Sequence, residues 1–427
     1  MKKNIAIIGG GIAGLTAAYA LKDRYAVTLF ERSDRLGGNA YTFTTPEGEE
    51  ADIAAAVFGG RSCPNVLGLF RTLDIETIRA FRMGPFGASG PGVGYYDLDS
   101  RQGLFFTPRL RGLLAQRFEI LRPGHIMSVL RLMQGMEQAR DLLLRGGLEG
   151  RSLAEALPMI PALQGDAKLM FLSNLCLLSS MHCEDVLAAP AGFFIDKVTR
   201  HSDLFPPTPR ALCSIRFVRN GTKSYVRALS DPYRDSIVLN ARIRTVRRPV
   251  GHVLVLMDDG TERRFDNVVF ACNADQALAL LEEPTPDERK LLGAWSYTEG
   301  RVVVHSDHAS FPERELIEGY TFLYRRAGSY IETSVSGSLW ALPYVSRTNG
   351  LISTQHPNFP IAPERTLLEK VFRTPRFDLA SCSTIRELPS LNGVRNTYYC
   401  GSHFGFGLHE DAVTSALDAA RRLQVEL

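Results

Sequence analysis

Residues 4–14 of this chain read NIAIIGGGIAG. The apolar run at 4–8 predicts a short buried strand, and the alanine-rich residues 12–22 have helical spacing. The glycines between them follow the pattern G-x-G-x-x-G. In this pattern the first glycine permits a tight turn, the second lets backbone approach a pyrophosphate, and the third lets the helix pack on the strand. The N–H groups that begin the helix can bind phosphate. We expect a dinucleotide to contact four residues of this turn: Gly9, Gly11, Ala13 and Gly14.

An acidic residue follows at the position that such a site requires. Residues 26–30 form a second β-type run, and Glu31 comes directly after it, 20 residues beyond Gly11. A carboxylate at the end of that strand can accept hydrogen bonds from both ribose hydroxyls of a dinucleotide. The strand–turn–helix–strand unit is the first half of a Rossmann-type sheet, and the dinucleotide can at this point be NAD or FAD. The alternative is a glycine-rich turn with a surface glutamate.

The residues after Glu31 separate these two cofactors. Residues 31–42 read ERSDRLGGNAYT, with a Gly-Gly pair six positions after the acidic residue. This segment resembles the second half of the flavoprotein signature in the superfamily of flavin-containing amine oxidases, phytoene desaturases and protoporphyrinogen oxidases. The resemblance implies FAD, bound non-covalently because no cysteine stands in a context typical of covalent flavin. It also places four residues of the segment at the cofactor: Arg32, Gly37, Gly38 and Asn39.

Two further segments extend the resemblance. Residues 242–246, followed by 268–274, look like the strands that read the adenine, which puts Ile243 at that base. The C-terminal segment 400–415 looks like the last flavin motif. Its Gly-x-Gly-x-His-Glu-Asp sequence at 405–411 is shared with bacterial proteins described as predicted NAD/FAD-binding oxidoreductases. The resemblance implies cofactor contacts from three residues of this segment: Ser402, Asp411 and Ala412.

Two residues are candidates for the chemistry. In amine oxidases a lysine holds a water near flavin N5, and the comparable strand here, residues 300–305, offers Arg301 instead. His403 precedes the final helix and is the acid–base candidate, because histidine titrates near neutral pH. Its alternative is a structural histidine. The final helix, which begins near His409, can direct its positive end at the flavin ring. The carboxylate of Asp411 then either contacts the cofactor or caps this helix.

The predicted fold class is α/β, with a Rossmann-like domain for FAD and a second domain for the substrate. The FAD-binding domain takes three segments and the mixed-sheet substrate domain takes two: 1–75, 215–290 and 385–427 for the first, 76–214 and 291–384 for the second. Apolar residues at helical spacing predict a helical insertion at about 108–200. Residues 85–96, rich in glycine and proline, predict a loop. Residues 301–305, 320–324 and 338–342 predict strands.

Composition and charge exclude several classes of protein. The 427 residues include 45% hydrophobic and 22% charged side chains, which is typical of a folded globular protein. A net charge of +3 gives no indication of a nucleic-acid partner. The seven cysteines form no C-x-x-C pair, which argues against a disulfide framework or zinc ribbon and favours a reducing, cytoplasmic location. No further ligands accompany His305 and His308, so we predict no metal site.

We therefore predict an FAD-dependent oxidoreductase that dehydrogenates or desaturates a hydrophobic or amphipathic small molecule by hydride transfer to flavin N5. Oxygen or a quinone-like compound is the expected final acceptor. Between Arg101 and Arg151, nine arginines stand against four acidic residues. Arginine stems can line a pocket that binds an acidic head group, or give the protein peripheral membrane contact; a solvated helix face is the simpler alternative. Two other functions stay open: a redox-neutral double-bond isomerase of fatty acids and a non-catalytic lipid-binding escort.

Overall fold

The computed structural model describes residues 2–54, 56–84, 87–107, 114–115, 123–203, 213–327, 330–346 and 350–425. Its strands are, in chain order, β1 (Lys3–Ile8), β2 (Tyr25–Phe30), β3 (Tyr41–Thr44), β4 (Glu50–Ala54), β5 (Thr77–Arg79), β6 (Arg82–Gly84), β7 (Gly87–Ser89), β8 (Gly92–Asp97), β9 (Gln102–Phe106), β10 (Arg216–Val218), β11 (Ile237–Val238), β12 (Ile243–Arg247), β13 (Val253–Met257), β14 (Glu262–Phe265), β15 (Asn267–Phe270), β16 (Ser296–His305), β17 (Gly319–Ala327), β18 (Tyr330–Ser338), β19 (Ile352–Gln355), β20 (Thr366–Arg376) and β21 (Thr397–Tyr399). Its α-helices are α1 (Ile12–Leu21), α2 (Pro64–Thr72), α3 (Pro123–Leu144), α4 (Leu153–Ala156), α5 (Gly165–Ser179), α6 (Cys183–Ala188), α7 (Ala191–Arg200), α8 (Thr222–Ser230), α9 (Ala274–Leu280), α10 (Pro286–Gly293), α11 (Leu379–Thr384) and α12 (His409–Arg422).

A parallel sheet brings together segments that are far apart in the chain. In the described residues its strand order is β11-β2-β1-β15-β21, and every neighbouring pair is parallel. Successive side chains of β1 point to opposite faces. Ile5 and Ile7 join the core that α1 and α12 cover, whereas Ala6 and Ile8 join the core on the other face. The sheet is buried on both faces, which explains why residues 5–8 of β1 and 268–270 of β15 are a continuous apolar run rather than an alternating one.

A mixed sheet forms the second layer. Its order within the described part of the chain is β20-β16-β19-β18-β17-β8-β9. The pair β17–β8 is parallel and the other neighbouring pairs are antiparallel. The helices α3 to α7 fall within the predicted helical insertion, of which residues 108–113 and 116–122 lie outside the described residues. The α/β class is confirmed, while the domain boundaries stay a prediction.

Two of the local predictions are wrong. Residues 85–96, which we expected to form a loop, contain strands β7 and β8 among the described residues. A Cβ atom on Gly319 of β17 would lie 2.0 Å from the carbonyl oxygen of Gly92, so glycine serves here for close approach of two strands rather than as a breaker. Residues 338–342, expected as a strand, contain the 3₁₀ turn Leu339–Ala341.

None of the helices in the described part of the chain is long and apolar enough to cross a bilayer.

Candidate cofactor and substrate site

The glycine turn after β1 has the geometry that the sequence predicts. Gly9 has a φ of +114°, which favours glycine, and a Cβ atom on Gly14 would lie 1.9 Å from the carbonyl oxygen of Gly9. Helix α1 therefore begins directly against the turn. Gly11 is its N-cap and offers no side-chain cap, so the N–H groups of the first helical turn stay available for an anion.

The second glycine segment packs against the first. The N–H of Gly37 donates to the carbonyl of Gly10 at 2.8 Å, and Gly37 forms a parallel bridge with Gly11. A Cβ atom on Gly38 would lie only 3.0 Å from the Cα atom of Gly11. The guanidinium of Arg35 holds this loop by donating to the carbonyl of Gly38 at 2.6 Å. The two glycine segments thus form one cradle of backbone with little side-chain cover.

Glu31 lies at the end of β2 and is fixed by local hydrogen bonds. Its Oε2 accepts from the N–H of Gly10 at 2.6 Å, and its Oε1 accepts from the N–H and the hydroxyl of Ser33 at 2.9 and 2.7 Å. Oε1 already accepts two bonds and Oε2 accepts one, so Oε2 can still accept a bond from a ribose hydroxyl.

One cavity of about 1150 Å³ connects the predicted cofactor residues. The residues that follow four parallel strands line it: Gly9, Glu31, Ala271 and Gly401. A ligand site at the carboxyl ends of parallel strands is typical of doubly wound sheets. Most of the other cofactor candidates also line this cavity: Gly11, Ala13, Arg32, Gly37, Gly38, Asn39, Ile243, Ser402 and Ala412. Gly14 lies behind the turn, where it supports the packing of α1.

Asn39 connects the glycine cradle to the mixed sheet. Its amide donates to the carbonyl of Arg373 in β20 at 3.0 Å. Arg373 in turn pairs with Asp275 of α9 at 2.8 Å. These contacts hold the two sheets together along the cavity.

Asp411 does not take the cofactor-contacting role that the resemblance implied. Its carboxylate accepts from the N–H of Leu408 at 2.8 Å, and it is absent from the described lining of the large cavity. Burial raises the pKa of this carboxyl. Asp411 therefore caps α12, the second of the two roles that the sequence allows. Gly407 and the N-cap residue Leu408 line the cavity instead, so the positive end of α12 faces it.

His403 lines the cavity but is held as a neutral ring. Its side chain is buried against Trp295 and Phe404, with ring centroids 5.5 and 5.0 Å away. Burial lowers the pKa of the imidazole to about 3. Its Nε2 has no hydrogen-bond partner among the described residues. A proton-transfer role for His403, which stays a prediction, therefore falls to the neutral imidazole.

Arg301 lies on the wrong face of its strand for catalysis. Gly300 and Val302 of β16 line the cavity, and Arg301 between them does not. Its guanidinium instead binds Glu369 of β20 through two bonds of 2.7 and 2.9 Å, with both side chains about half exposed. The alternation of side chains along a strand explains this. This placement argues against the catalytic role predicted for Arg301, and that role stays a prediction.

This placement gives a testable prediction for Arg301→Ala. The substitution removes an exposed ion pair that solvent screens, so the stability of the fold should change little. We expect the rate of flavin reduction by any substrate to stay within about twofold of the wild-type rate, because the side chain is outside the cavity. Stopped-flow reduction of both proteins measures this, and a loss of tenfold or more would return Arg301 to the active site.

Lys197 is a further residue of the site, and none of the sequence motifs indicates it. This residue of α7 is fully buried and lines the cavity, and its ammonium has no hydrogen-bond partner among the described residues. The rings of Phe194 and Phe377 lie 5.8 and 5.3 Å from its nitrogen. Burial lowers the pKa of Lys197 to about 7. Its spacing could have indicated burial, because Lys197 follows Phe194 by three positions and lies on the same buried face of the helix.

The arginine-rich segment has no described side chain in the cavity. The arginines that the structure describes between Arg101 and Arg151 are exposed and absent from the lining: Arg101, Arg131, Arg140, Arg145 and Arg151. Arg109, Arg111, Arg117 and Arg122 lie outside the described residues. For the described arginines the solvated face is therefore the correct reading. The described residues also contain no cluster of three or more metal-ligating side chains.

Comparison with known families agrees with this geometry. The profile of the family described as flavin containing amine oxidoreductase matches residues 12–354. The chain belongs to this family. The resemblance seen in the glycine segments is thereby confirmed, and FAD is the cofactor that the cradle, Glu31 and the cavity fit. The flavin in this family's description agrees with FAD as the cofactor of this chain.

Individual relatives are distant. An L-amino-acid oxidase of Siganus canaliculatus is 23% identical over 355 residues, which are 77% of this chain and 61% of the relative. The chain covers 19% of the length of one curated relative and 61% of the length of this L-amino-acid oxidase. Their activities therefore describe those proteins.

Solved structures match over nearly the whole chain. Putrescine oxidase bound to putrescine has a TM-score of 0.71 at 14% identity, with 99% of both chains covered. A fatty acid isomerase from P. acnes that produces CLA has a TM-score of 0.64 at 17% identity, with 97% of both chains covered. At these identities the likeness shows the fold that the flavin amine oxidoreductase shares with them.

Proposed function

We propose that this chain uses FAD to oxidise a hydrophobic or amphipathic small molecule rather than a small polar amine. The observation that carries the proposal is the chemistry of the cavity wall. Part of the wall is apolar and aromatic, as is typical of small-molecule sites. Six of its residues are Leu177, Leu178, Phe322, Val335, Phe377 and Phe406.

The carboxylates on the cavity wall do not suit a cationic amine. The described lining holds three, which are Glu31, Asp52 and Asp258. Glu31 belongs to the dinucleotide end, and Asp258 is exposed. Asp52 is buried and accepts hydrogen bonds from the N–H of Thr222 at 2.8 Å and from the hydroxyl of Tyr344 at 2.8 Å. Burying an ammonium without an available partner is costly, which disfavours a simple amine as substrate.

The chain's own residues have three tasks in this proposal. The glycine cradle and Glu31 hold the dinucleotide part of FAD, and bound FAD supplies the electron acceptor for a hydride. The positive end of α12, at Gly407 and Leu408, would stabilise negative charge on the flavin ring when FAD is bound. The aromatic side chains of Phe377 and Phe406 exclude water from the reacting carbon.

Several finer points belong to the same proposal. We expect the flavin to be non-covalent, the final acceptor to be oxygen or a quinone-like compound, and the location to be cytoplasmic. Four exposed apolar residues of α3 support peripheral contact with a membrane: Ile126, Met127, Leu130 and Met133.

A redox-neutral isomerase of fatty-acid double bonds is the second candidate. The shared fold with the fatty acid isomerase from P. acnes favours it. The same apolar wall would accept an acyl chain in either reaction, so the two candidates differ in whether the flavin is left reduced. The escort hypothesis is not kept, because the chain belongs to a family of oxidoreductases.

Anaerobic mixing of the holoenzyme with a substrate panel tests the proposal. The panel contains fatty acids, polyenes and small amines, with flavin absorbance followed and products analysed. We expect a hydrophobic compound to bleach the flavin, and NADPH, the control, to do so only slowly because the sequence shows one dinucleotide motif. Bleaching by small amines alone would contradict the proposal. Double-bond migration without bleaching would select the isomerase.

A further inference from the structure

Lys197 is a buried lysine whose ammonium makes no direct contact with a carboxylate among the described residues. Its side chain is fully buried in α7, and within the described residues its nitrogen makes no hydrogen bond. The neighbouring groups are the faces of Phe194 and Phe377. A buried ammonium that lacks a counter-ion is expensive, so such a group is expected to meet its partner in a ligand or to lose its proton.

The titratable groups around Lys197 do not supply that partner. Asp411 of α12 and the thiol of Cys382 in α11 face it, and His201 stands one turn along the same helix. The carboxylate of Asp411 accepts from the N–H of Leu408 and caps its own helix. Burial raises the pKa of Cys382 to about 12, so this thiol is neutral near pH 7.

The other cations of the cavity wall either have partners within the protein or lie at the dinucleotide end. In the described lining they are Arg32, Arg35, Arg242 and Arg373. Arg35 donates to the glycine loop and Arg373 pairs with Asp275. Arg32 comes directly after Glu31 and Arg242 directly before Ile243, so both belong to the dinucleotide side of the cavity. Lys197 stands apart from them, among the aromatic residues of the apolar wall.

We propose that Lys197 binds the carboxylate of an amphipathic acid whose hydrocarbon body lies along the apolar wall of the cavity. This inference rests on the proposed function, and it names the class of its substrate. A single carboxylate is favoured over a phosphate because one ammonium among aromatic rings balances one negative charge and offers no further donors for a doubly charged group. The carboxylate supplies the hydrogen-bond acceptor that Lys197 lacks.

The pH dependence of binding follows from the same geometry. With the pKa of Lys197 lowered to about 7 by burial, the ammonium is charged below that pH and neutral above it. A fatty acid stays ionised throughout this range. Affinity for the acid should therefore fall as the pH rises from about 7 to about 9, by up to tenfold per unit. Burial also raises the pKa of Asp411, so this carboxyl can add to the pH dependence of binding. Any pH dependence that persists in a variant without Lys197 belongs to Asp411.

Binding of decanoate and of decanol to the oxidised holoenzyme tests the inference. Perturbation of the flavin spectrum reports binding without turnover. We expect wild type at pH 6.5 to bind decanoate about 10- to 100-fold more tightly than decanol. Lys197→Met has a similar volume and suits the apolar surroundings, and it should lose this preference and its pH dependence while it binds decanol normally. Lys290→Met, a substitution of an exposed lysine, is the control and should retain both.

Each outcome decides for or against Lys197. Equal affinity for acid and alcohol in wild type, no binding of either compound, or a preference that survives in Lys197→Met would overturn the inference. The proposed function is judged separately, because it concerns reduction of the flavin. Tight, Lys197-dependent binding of decanoate without any flavin reduction by the substrate panel would leave the acid site standing and remove the oxidation.

Discussion

Gly11→Val is expected to yield a folded protein that retains less than about a tenth of the wild-type FAD, because backbone at this position must approach the pyrophosphate. The nearest heavy atom to a Cβ on Gly11 is the Cα atom of Gly38 at 3.9 Å, so the protein itself accepts a side chain. Gly11 lines the cavity, however, and the branched methyl groups of valine would occupy the cradle between the two glycine segments. The variant separates cofactor binding from folding.

Gly14→Ala is the matched control for this prediction. A Cβ atom on Gly14 would lie 1.9 Å from the carbonyl oxygen of Gly9, so this smaller substitution should destabilise the fold itself. Flavin content per chain, from visible absorbance, and thermal unfolding followed by circular dichroism distinguish the two effects. A fully yellow Gly11→Val protein with an unchanged spectrum would show that the glycine cradle does not hold FAD.

Glu288→Ala is expected to destabilise the protein by about 3–5 kcal/mol, the cost of leaving a buried charge without its partner. Glu288 binds Arg248, and the two side chains are 2% and 1% exposed. Its carboxylate also accepts from the hydroxyl of Tyr399 at 2.5 Å and from the N–H of Thr285 at 2.7 Å. Burial alone would raise the pKa of Glu288, but the bonds from Arg248 and Tyr399 outweigh it and hold the pKa below its usual value.

The sign of the pH effect follows from that lowered pKa. The stabilisation by Glu288 is complete above the pKa of the unfolded chain, about 4.3, and is lost as the pH falls through the lower value of the folded protein. Glu288→Ala lacks this acid-dependent component. Urea unfolding at pH 7 and pH 4 measures both quantities, and the difference between wild type and variant should shrink at the lower pH.

Glu369→Ala provides the comparison for an exposed pair. Its partner Arg301 and Glu369 itself are about half exposed, so solvent screens the pair and removal of Glu369 should cost far less stability than removal of Glu288. Equal losses in Glu288→Ala and Glu369→Ala would mean that burial does not govern the strength of these ion pairs.

The cofactor end of the site could be predicted from the sequence because its determinants are local. The turn from Gly9 to Gly14 needs glycine for its backbone conformation and its close contacts, and these requirements act within a few residues. Glu31 follows from the same unit, since a strand of known direction ends there. The family match over residues 12–354 confirms FAD as the cofactor that this unit implies.

Only the tertiary structure decided which side chains reach the substrate part of the cavity. Arg301 and Gly300 are neighbours in sequence, yet the pairing of β16 with β20 turns one outward and the other to the cavity. In the sequence Lys197 is an ordinary lysine of a helical segment. Its place in the site arises because α7 packs this residue against Phe377 and the cavity. Strands β8 and β17 likewise approach closely at Gly92 and Gly319 because Gly319 has no side chain to contact the backbone of Gly92. Such properties arise from contacts between distant segments, so neither local spacing nor residue type determines them.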